Sequence, residues 1–253
     1  MTTTTSYLNK ENIDRSANGV EYHPLHPFLP ENAKILFLGS FPPQRKRWCM
    51  DFYYPNFIND HWRIEGQLFF GDRNHFVDVE QKRFRIDEII AFCQEKGLAF
   101  YDTSTAIRRL QDNASDKFLE VVEPTNIPAL ISKLPHLRAI VTTGEKATET
   151  ICTSLGIQEI PKVNTFVLVS AAPPLTSHFS PLSSQFAPKA HSPLTSHLSS
   201  CGSAAPPLTL RLRRTTSALS LWRLPSSSRA YPLAFDKKVE AYRLMFKEVF
   251  DEI

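Results

Sequence analysis

Four short apolar runs punctuate the chain: Lys34 to Leu38, Leu98 to Asp102, Arg138 to Thr142 and Leu219 to Leu224. Each is bounded by turn residues, and unbroken apolar runs of this length predict strands buried on both faces of a parallel sheet. Helical periodicity fills the gaps. It predicts helices over Asp60 to Phe70, Ile86 to Lys96, Asn126 to Leu134 and Glu145 to Leu155, with Gly97 and Gly156 suited to left-handed C-terminal caps. At the C-terminus Val239, Tyr242, Phe246, Val249, Phe250 and Ile253 recur at a three-to-four-residue step, which makes one apolar stripe, and Asp236 stands where it could cap that helix. Alternating strands and helices predict a doubly wound α/β domain: a three-layer sandwich around a central, mostly parallel four-stranded sheet.

Between the third and fourth strands the pattern breaks down. From Ile160 to Phe235 there is no Asp or Glu, and Pro, Ser, Leu, Thr and His dominate. The sequence Pro174-Leu175-Thr176-Ser177-His178 recurs as Pro193 to His197, and Ala171 to Thr176 recurs as Ala204 to Thr209. Neither repeat has a helical or strand period. Such a segment buries too little surface to offset the entropy of ordering it. The expected map is a disordered N-terminus over residues 1–20, one domain from 21–170 and 218–253, and a disordered low-complexity insertion at 171–217. His178, His191 and His197 then read as passengers of the repeat, since no ligand spacing links them.

Charge adds little. A formal net charge of +3 permits a polyanionic partner without requiring one. Cys49, Cys93, Cys152 and Cys201 form no C-x-x-C pair and no cluster at zinc or iron–sulfur spacing, so free thiols without metal or other cofactor are expected. The opening residues lack the apolar core of a signal peptide, and no run of about 18 apolar residues occurs. The expectation is a cytoplasmic monomer with no membrane partner.

In an open parallel sheet, ligands bind beyond the carboxyl ends of the strands. Those ends lead into Gly39-Ser40-Phe41-Pro42-Pro43, Asp102-Thr103-Ser104, Thr142-Thr143-Gly144 and Pro225-Ser226-Ser227-Ser228-Arg229. Each offers the small, polar residues that a cleft for a polar ligand needs. Neither G-x-x-x-x-G-K-[ST] nor G-x-G-x-x-G is present, which argues against an ordinary nucleotide-binding enzyme.

The most specific stretch runs from Asp51 to Arg63, Asp-Phe-Tyr-Tyr-Pro-Asn-Phe-Ile-Asn-Asp-His-Trp-Arg. With Gly39-Ser40-Phe41-Pro42 before it, this stretch resembles the first motif region of the uracil-DNA glycosylase superfamily, nearest to the hypoxanthine-DNA and mismatch-specific branches. Arg108 to Asp116 resembles the middle Arg…Ser-Asp segment, and Val141 to Ala147 the strand-turn-helix after it. Leu224 to Tyr231 resembles the Pro-Ser-rich loop after the last strand. The likeness spans about Pro24 to Gly156 and Leu219 to Ile253. Two departures stand out in the first region. Ser40 and Pro43 replace the catalytic Asn of the mismatch-specific branch and a usual Gly, and Pro55 stands two residues further from Asn59 than the pattern has it.

The resemblance implies a monofunctional glycosylase that flips a deaminated base, uracil or hypoxanthine, out of DNA and hydrolyses its glycosidic bond. Asn59 would orient the water, with Asp60 as the rival activator; as ordinary structure, Asn59 is a helix cap and Asp60 a first-turn acid. Tyr54 would stack on the base, although Tyr53, Tyr54 and Trp62 also suit a core. The backbone of Gly39, Ser40 and Phe41, in a turn fixed by Pro42, would read the base edge. Pro225, Ser226, Ser227, Ser228, Arg229 and Tyr231 would form a loop entering the duplex. Arg45, Lys46, Arg47 and Arg63 would grip phosphates, or else lie on a solvated surface. A second reading is a DNA-binding module that has lost catalysis because the insertion disrupts the last strand.

Overall fold

The computed structural model describes residues 7–15, 19–111, 118–169 and 218–250. The insertion expected at 171–217, the N-terminal six residues, Cys201 and Ile253 lie outside them. A short helix α1 (Lys10–Arg15) and strand β1 (Val20–Tyr22) lead into β2 (Ile35–Gly39), and a turn of 3₁₀ helix (Arg45–Arg47) precedes α2 (His61–Phe70). A two-stranded ribbon, β3 (Val77–Asp78) and β4 (Arg83–Phe84), leads to α3 (Ile86–Lys96), β5 (Leu98–Asp102) and β6 (Ser104–Arg109). Then come β7 (Leu119–Pro124), α4 (Ile127–Ile131), β8 (Ala139–Thr142), α5 (Glu145–Leu155), β9 (Thr165–Val169), β10 (Leu219–Arg223) and α6 (Phe235–Val249).

The four apolar runs form β2, β5, β8 and β10, in the spatial order β5-β2-β8-β10, all parallel. Every residue of β5 and β8 is buried, as strands covered on both faces must be. The central sheet has five strands rather than four. The fifth, β9, pairs antiparallel with β10 at the edge and exposes Phe166 and Leu168. A separate antiparallel sheet, β1-β6-β7, was also not expected. The causes differ: β1, β6 and β7 are interrupted by charged residues, whereas the apolar run Phe166 to Val169 of β9 lies within the acid-free stretch that precedes the Pro/Ser-rich repeats.

Side-chain direction establishes the layers. Phe37 turns toward His61 of α2 and Phe246 of α6. Its register partner is Val141, so the next residue, Thr142, faces the opposite side, where its hydroxyl lies 2.8 Å from that of Thr148 on α5. Phe69 of α2 packs edge-on against Phe92 of α3. Helices α2, α3 and α6 therefore cover one face and α5 the other. This is the expected three-layer α/β sandwich.

Helix α6 starts earlier than its apolar stripe suggests. Its N-cap is Ala234, and Asp236 lies inside the first turn, where a carboxylate favours the helix dipole without capping. Its buried face includes Lys238 along with Val239, Tyr242, Met245, Phe246 and Val249. No helix among the described residues is long and apolar enough to cross a membrane. Cys49, Cys93 and Cys152 are free thiols, and no group of His, Cys, Asp and Glu among the described residues is placed to hold a metal.

Candidate active site

Beyond the carboxyl ends of the parallel strands lies a cleft of about 1240 Å³. It brings together the turn after β2 (Gly39, Ser40, Phe41, Pro42), the Tyr54 to Asn59 loop, Asp102 at the end of β5, Thr143 and Gly144 after β8, and Pro225 to Ser228 with Tyr231 after β10. Four of these segments are the strand ends read from the sequence, and the Tyr54 to Asn59 loop joins them.

Tyr54 holds a left-handed backbone, φ 49°, uncommon for a residue with a β-carbon. Its ring stacks on His61, with centroids 3.8 Å apart and planes 15° apart. The imidazole in turn is wholly buried. Among the described residues neither ring nitrogen has a hydrogen-bond partner, and burial pushes its pKa down to about 3. Glu65, one helical turn on, is also fully buried, 3.7 Å from His61 Nε2, and desolvation raises its carboxyl well above the usual range. Burial thus disfavours the charged form of each, because neither gains enough from the other to replace its lost hydration.

Asn59 both lines the cleft and supports α2. Its Oδ1 accepts the His61 N–H at 2.9 Å, leaving its second lone pair and the Nδ2 donors available to a ligand. The N-cap position itself belongs to Asp60, whose side chain makes no capping bond. The Asp60 carboxylate points elsewhere. Oδ1 accepts from Arg229 Nε at 2.9 Å and Oδ2 lies 3.7 Å from Lys238 Nζ, a lysine that also donates to the Ser228 carbonyl at 2.7 Å. With the Asp60 N–H donating to the Ser227 carbonyl and an antiparallel bridge between Asn59 and Ser228, this cluster fastens the Pro225 to Tyr231 loop onto α2 and α6. Asp60 is not among the residues that line the cleft, and Arg229 is held by it.

The expected phosphate contacts divide. Arg45, Lys46 and Arg47 are exposed on their 3₁₀ turn, with Arg45 paired to Asp51 and lying over the Trp48 ring. Arg63 is buried. Its Nη1 donates to the carbonyls of Phe57 (2.8 Å) and Asn59 (3.1 Å), and its guanidinium covers the Phe57 ring. It is thus a clamp on the loop rather than an outward-facing cation, because only a long side chain from the first turn of α2 reaches both carbonyls.

Two cleft residues had been given no role from the sequence: Asp102, placed only as a strand end, and Arg109. Asp102, 7% exposed, accepts at Oδ2 from His23 Nε2 at 2.8 Å; His23 is wholly buried, with Nδ1 against the backbone of Leu25. Arg109 donates from Nη2 to the Pro42 carbonyl at 2.7 Å and from Nε to Glu21, which ties the turn after β2 to the antiparallel sheet. An Asp at the carboxyl end of a buried parallel strand was the signal available for the first. For the second there was none, since Glu21 and Arg109 are far apart in sequence.

No family model matches the chain, and no curated protein matches it. Among solved structures it is similar to the solution NMR structure of a "putative Uracil DNA glycosylase" from Methanosarcina acetivorans, at 27% identity over 52% of this chain and 78% of that one, with a TM-score of 0.37.

Proposed function

We propose that this chain is a monofunctional DNA glycosylase that removes a deaminated base, uracil or hypoxanthine, by hydrolysing its N-glycosidic bond. The observation that supports it best is the convergence, in one cleft at the strand ends, of an aromatic platform (Tyr54), a carboxamide (Asn59), a backbone turn (Gly39 to Pro42) and the Ser-rich loop after β10. A flipped base loses its stacking and its pairing edge, and needs replacements for both. Tyr54, backed by His61, offers a ring face, and the Ser40 and Phe41 backbone with the Asp102 carboxylate offers polar partners for the base edge.

Breaking the C1′–N bond leaves positive charge on the sugar and negative charge on the departing base; water then adds to C1′, and its proton goes to the base or to solvent. Asn59 can orient that water without adding a buried charge, and donors around the base stabilise the leaving anion. The exposed Arg45 to Arg47 turn is left as the phosphate-gripping element.

A catalytically impaired binding module is the competing reading. Strand β10 is hydrogen-bonded on both sides, to β8 and β9, and the Ser-rich loop that follows it is fastened in place. The chain leaves the sheet at Val169 and returns at Leu219, at the end of β10 remote from the cleft. Nothing in that arrangement favours loss of the site. The deciding experiment is a cleavage assay on end-labelled oligonucleotides carrying uracil or hypoxanthine, single-stranded and opposite each base. Alkali-labile product supports the enzyme; binding without cleavage supports the module.

A further inference from the structure

The antiparallel sheet β1-β6-β7 delivers one buried side chain to the wall of the cleft. His23 directly follows β1, its backbone N–H donates to the Thr105 carbonyl of β6 at 2.8 Å, and its ring is wholly buried. Nε2 lies 2.8 Å from Asp102 Oδ2, and an ionised carboxylate only accepts, so the proton of that bond is assigned to Nε2. Nδ1 faces both polar groups of the Leu25 backbone, the N–H at 3.2 Å and the carbonyl at 2.9 Å. A neutral ring accepts from the first and a charged ring donates to the second. Either form therefore keeps Nε2–H aimed at Asp102.

The same ring braces the neighbouring strand end. Phe41, in the turn after β2, meets it edge-on with centroids 5.3 Å apart, and Tyr101, just before Asp102, lies against it at 4.7 Å. With Oδ2 held by His23, Asp102 Oδ1 is left against Gly39, and both of these residues line the cleft. A free aspartate has two torsions to explore, and each rotamer carries its oxygens elsewhere. What separates His23 from a core histidine satisfied for stability alone is that its far nitrogen ends on a carboxylate of the cleft.

We propose that His23 is a positioning residue of the reaction: it touches no substrate, and acts by holding Asp102 in the rotamer that keeps Oδ1 at the base edge. This rests on the glycosylase reading and on the place of Asp102 within it. A polar group fixed before the substrate arrives needs no reorganisation in the transition state, and a displacement of about 1 Å can cost roughly a hundredfold in rate.

The test uses the full chain and a duplex carrying whichever base, uracil or hypoxanthine, the wild type cleaves. The carboxamide of His23→Gln reaches the Nε2 position and can donate to Asp102, whereas that of His23→Asn ends near Nδ1, keeping Leu25 and losing Asp102. Single-turnover cleavage per folded molecule should stay within about twofold of wild type in His23→Gln and fall about tenfold in His23→Asn, with DNA affinity unchanged. Added to Asp102→Ala, His23→Asn should cost nothing further, since the group it acts through is already gone. In the wild type alone, the His23 Nε2–H proton resonance should move when a duplex with a hydrolysis-resistant 2′-fluoroarabino analogue of the nucleoside binds, and not when an undamaged duplex binds. Full cleavage by His23→Asn, a loss that adds to that of Asp102→Ala, or a resonance unmoved by the bound analogue overturns the positioning role while the glycosylase reading stands. A wild-type chain that cleaves neither base overturns both.

Discussion

Gly39 and Asp102 are register partners on adjacent parallel strands, and a β-carbon on Gly39 would fall on Asp102 Oδ1. The glycine is there for space, since its φ is not in the left-handed region. Any side chain at 39 must displace that oxygen, and with it the carboxylate whose other oxygen is bonded to His23. Gly39→Ala should therefore lower single-turnover cleavage at least tenfold and cost about 1–3 kcal/mol of stability, the range for overpacking. Asp102→Asn keeps the shape and removes the charge. If the carboxylate serves the reaction, its single-turnover rate should fall with stability nearly held; an unchanged rate would leave Asp102 as scaffolding.

Asn59 and Asp60 are adjacent yet serve opposite sides of the loop. Asn59→Ala should lose about 2–4 kcal/mol of transition-state stabilisation with DNA affinity nearly constant, and about 1 kcal/mol of stability for the lost bond to the His61 N–H. Asp60→Asn should do the reverse. It leaves Lys238 buried with a weakened partner, so thermal stability should fall while cleavage per folded molecule is retained. Single-turnover rates measured beside melting curves separate the two, and full cleavage by Asn59→Ala would move the water elsewhere.

Arg47 and Arg63 make opposite predictions for salt dependence. Arg47→Ala should leave folding alone and flatten the plot of log affinity against log salt by about one unit, the signature of one lost phosphate contact. Arg63→Ala should cost about 2–3 kcal/mol of stability, because two loop carbonyls lose a charged donor, and leave the slope of the folded fraction unchanged.

The buried His61 and Glu65 should shape stability on both sides of neutrality. For Glu65 the native carboxyl holds its proton more tightly than the unfolded one, so stability is lost as pH rises above the unfolded value of 4.5 toward the raised native value. For His61 the unfolded ring takes a proton near 6.5 and the native ring only near 3, so stability is lost as pH falls through that window. Glu65→Gln should raise the melting temperature at pH 7 and 8, with the gain vanishing near pH 4, while the acid-side decline persists. Melting curves across that range check it; a gain that is constant with pH would place the ionisation elsewhere.

Val169 and Leu219 face each other in the β9–β10 ladder. Deleting 171–217 would leave only Ser170 and Ala218 between them, the length of a two-residue hairpin loop. The shortened chain, with Asn-Gly at those two positions to suit the turn, should fold with an unchanged or higher melting temperature and retain cleavage. A large fall in the midpoint would show that the segment contributes to the fold.

The buried parallel strands were legible because each is a short apolar run with turns at both ends, and β5 and α3 match their expected bounds residue for residue. Strand β9 was not, since its apolar run Phe166 to Val169 has no alternation and adjoins the Pro/Ser-rich repeats, and pairing with β10 makes it a strand. Of the candidate site, local sequence singled out the turn after β2, the Asn59 helix start and the loop after β10, and residues of all three line the cleft. Their meeting in one cleft follows from strand parallelism, which carries every carboxyl end to the same edge of the sheet.

Side-chain partners were another matter. Asp60 and Asn59 are adjacent in sequence, and either could have faced a ligand; Arg229 and Lys238 decided that Asp60 does not. Arg63 belongs to an apparent basic group with Arg45, Lys46 and Arg47, yet folding turns it inward to two carbonyls. His23 reaches Asp102 across 79 positions of chain. Sequence by itself determined where the chain becomes strand, helix and turn, because hydrophobic period and turn chemistry act over a few residues. Only the tertiary structure decided which charges are spent on holding the loops and which remain for a ligand, because burial and ion pairing depend on groups brought together from far along the chain.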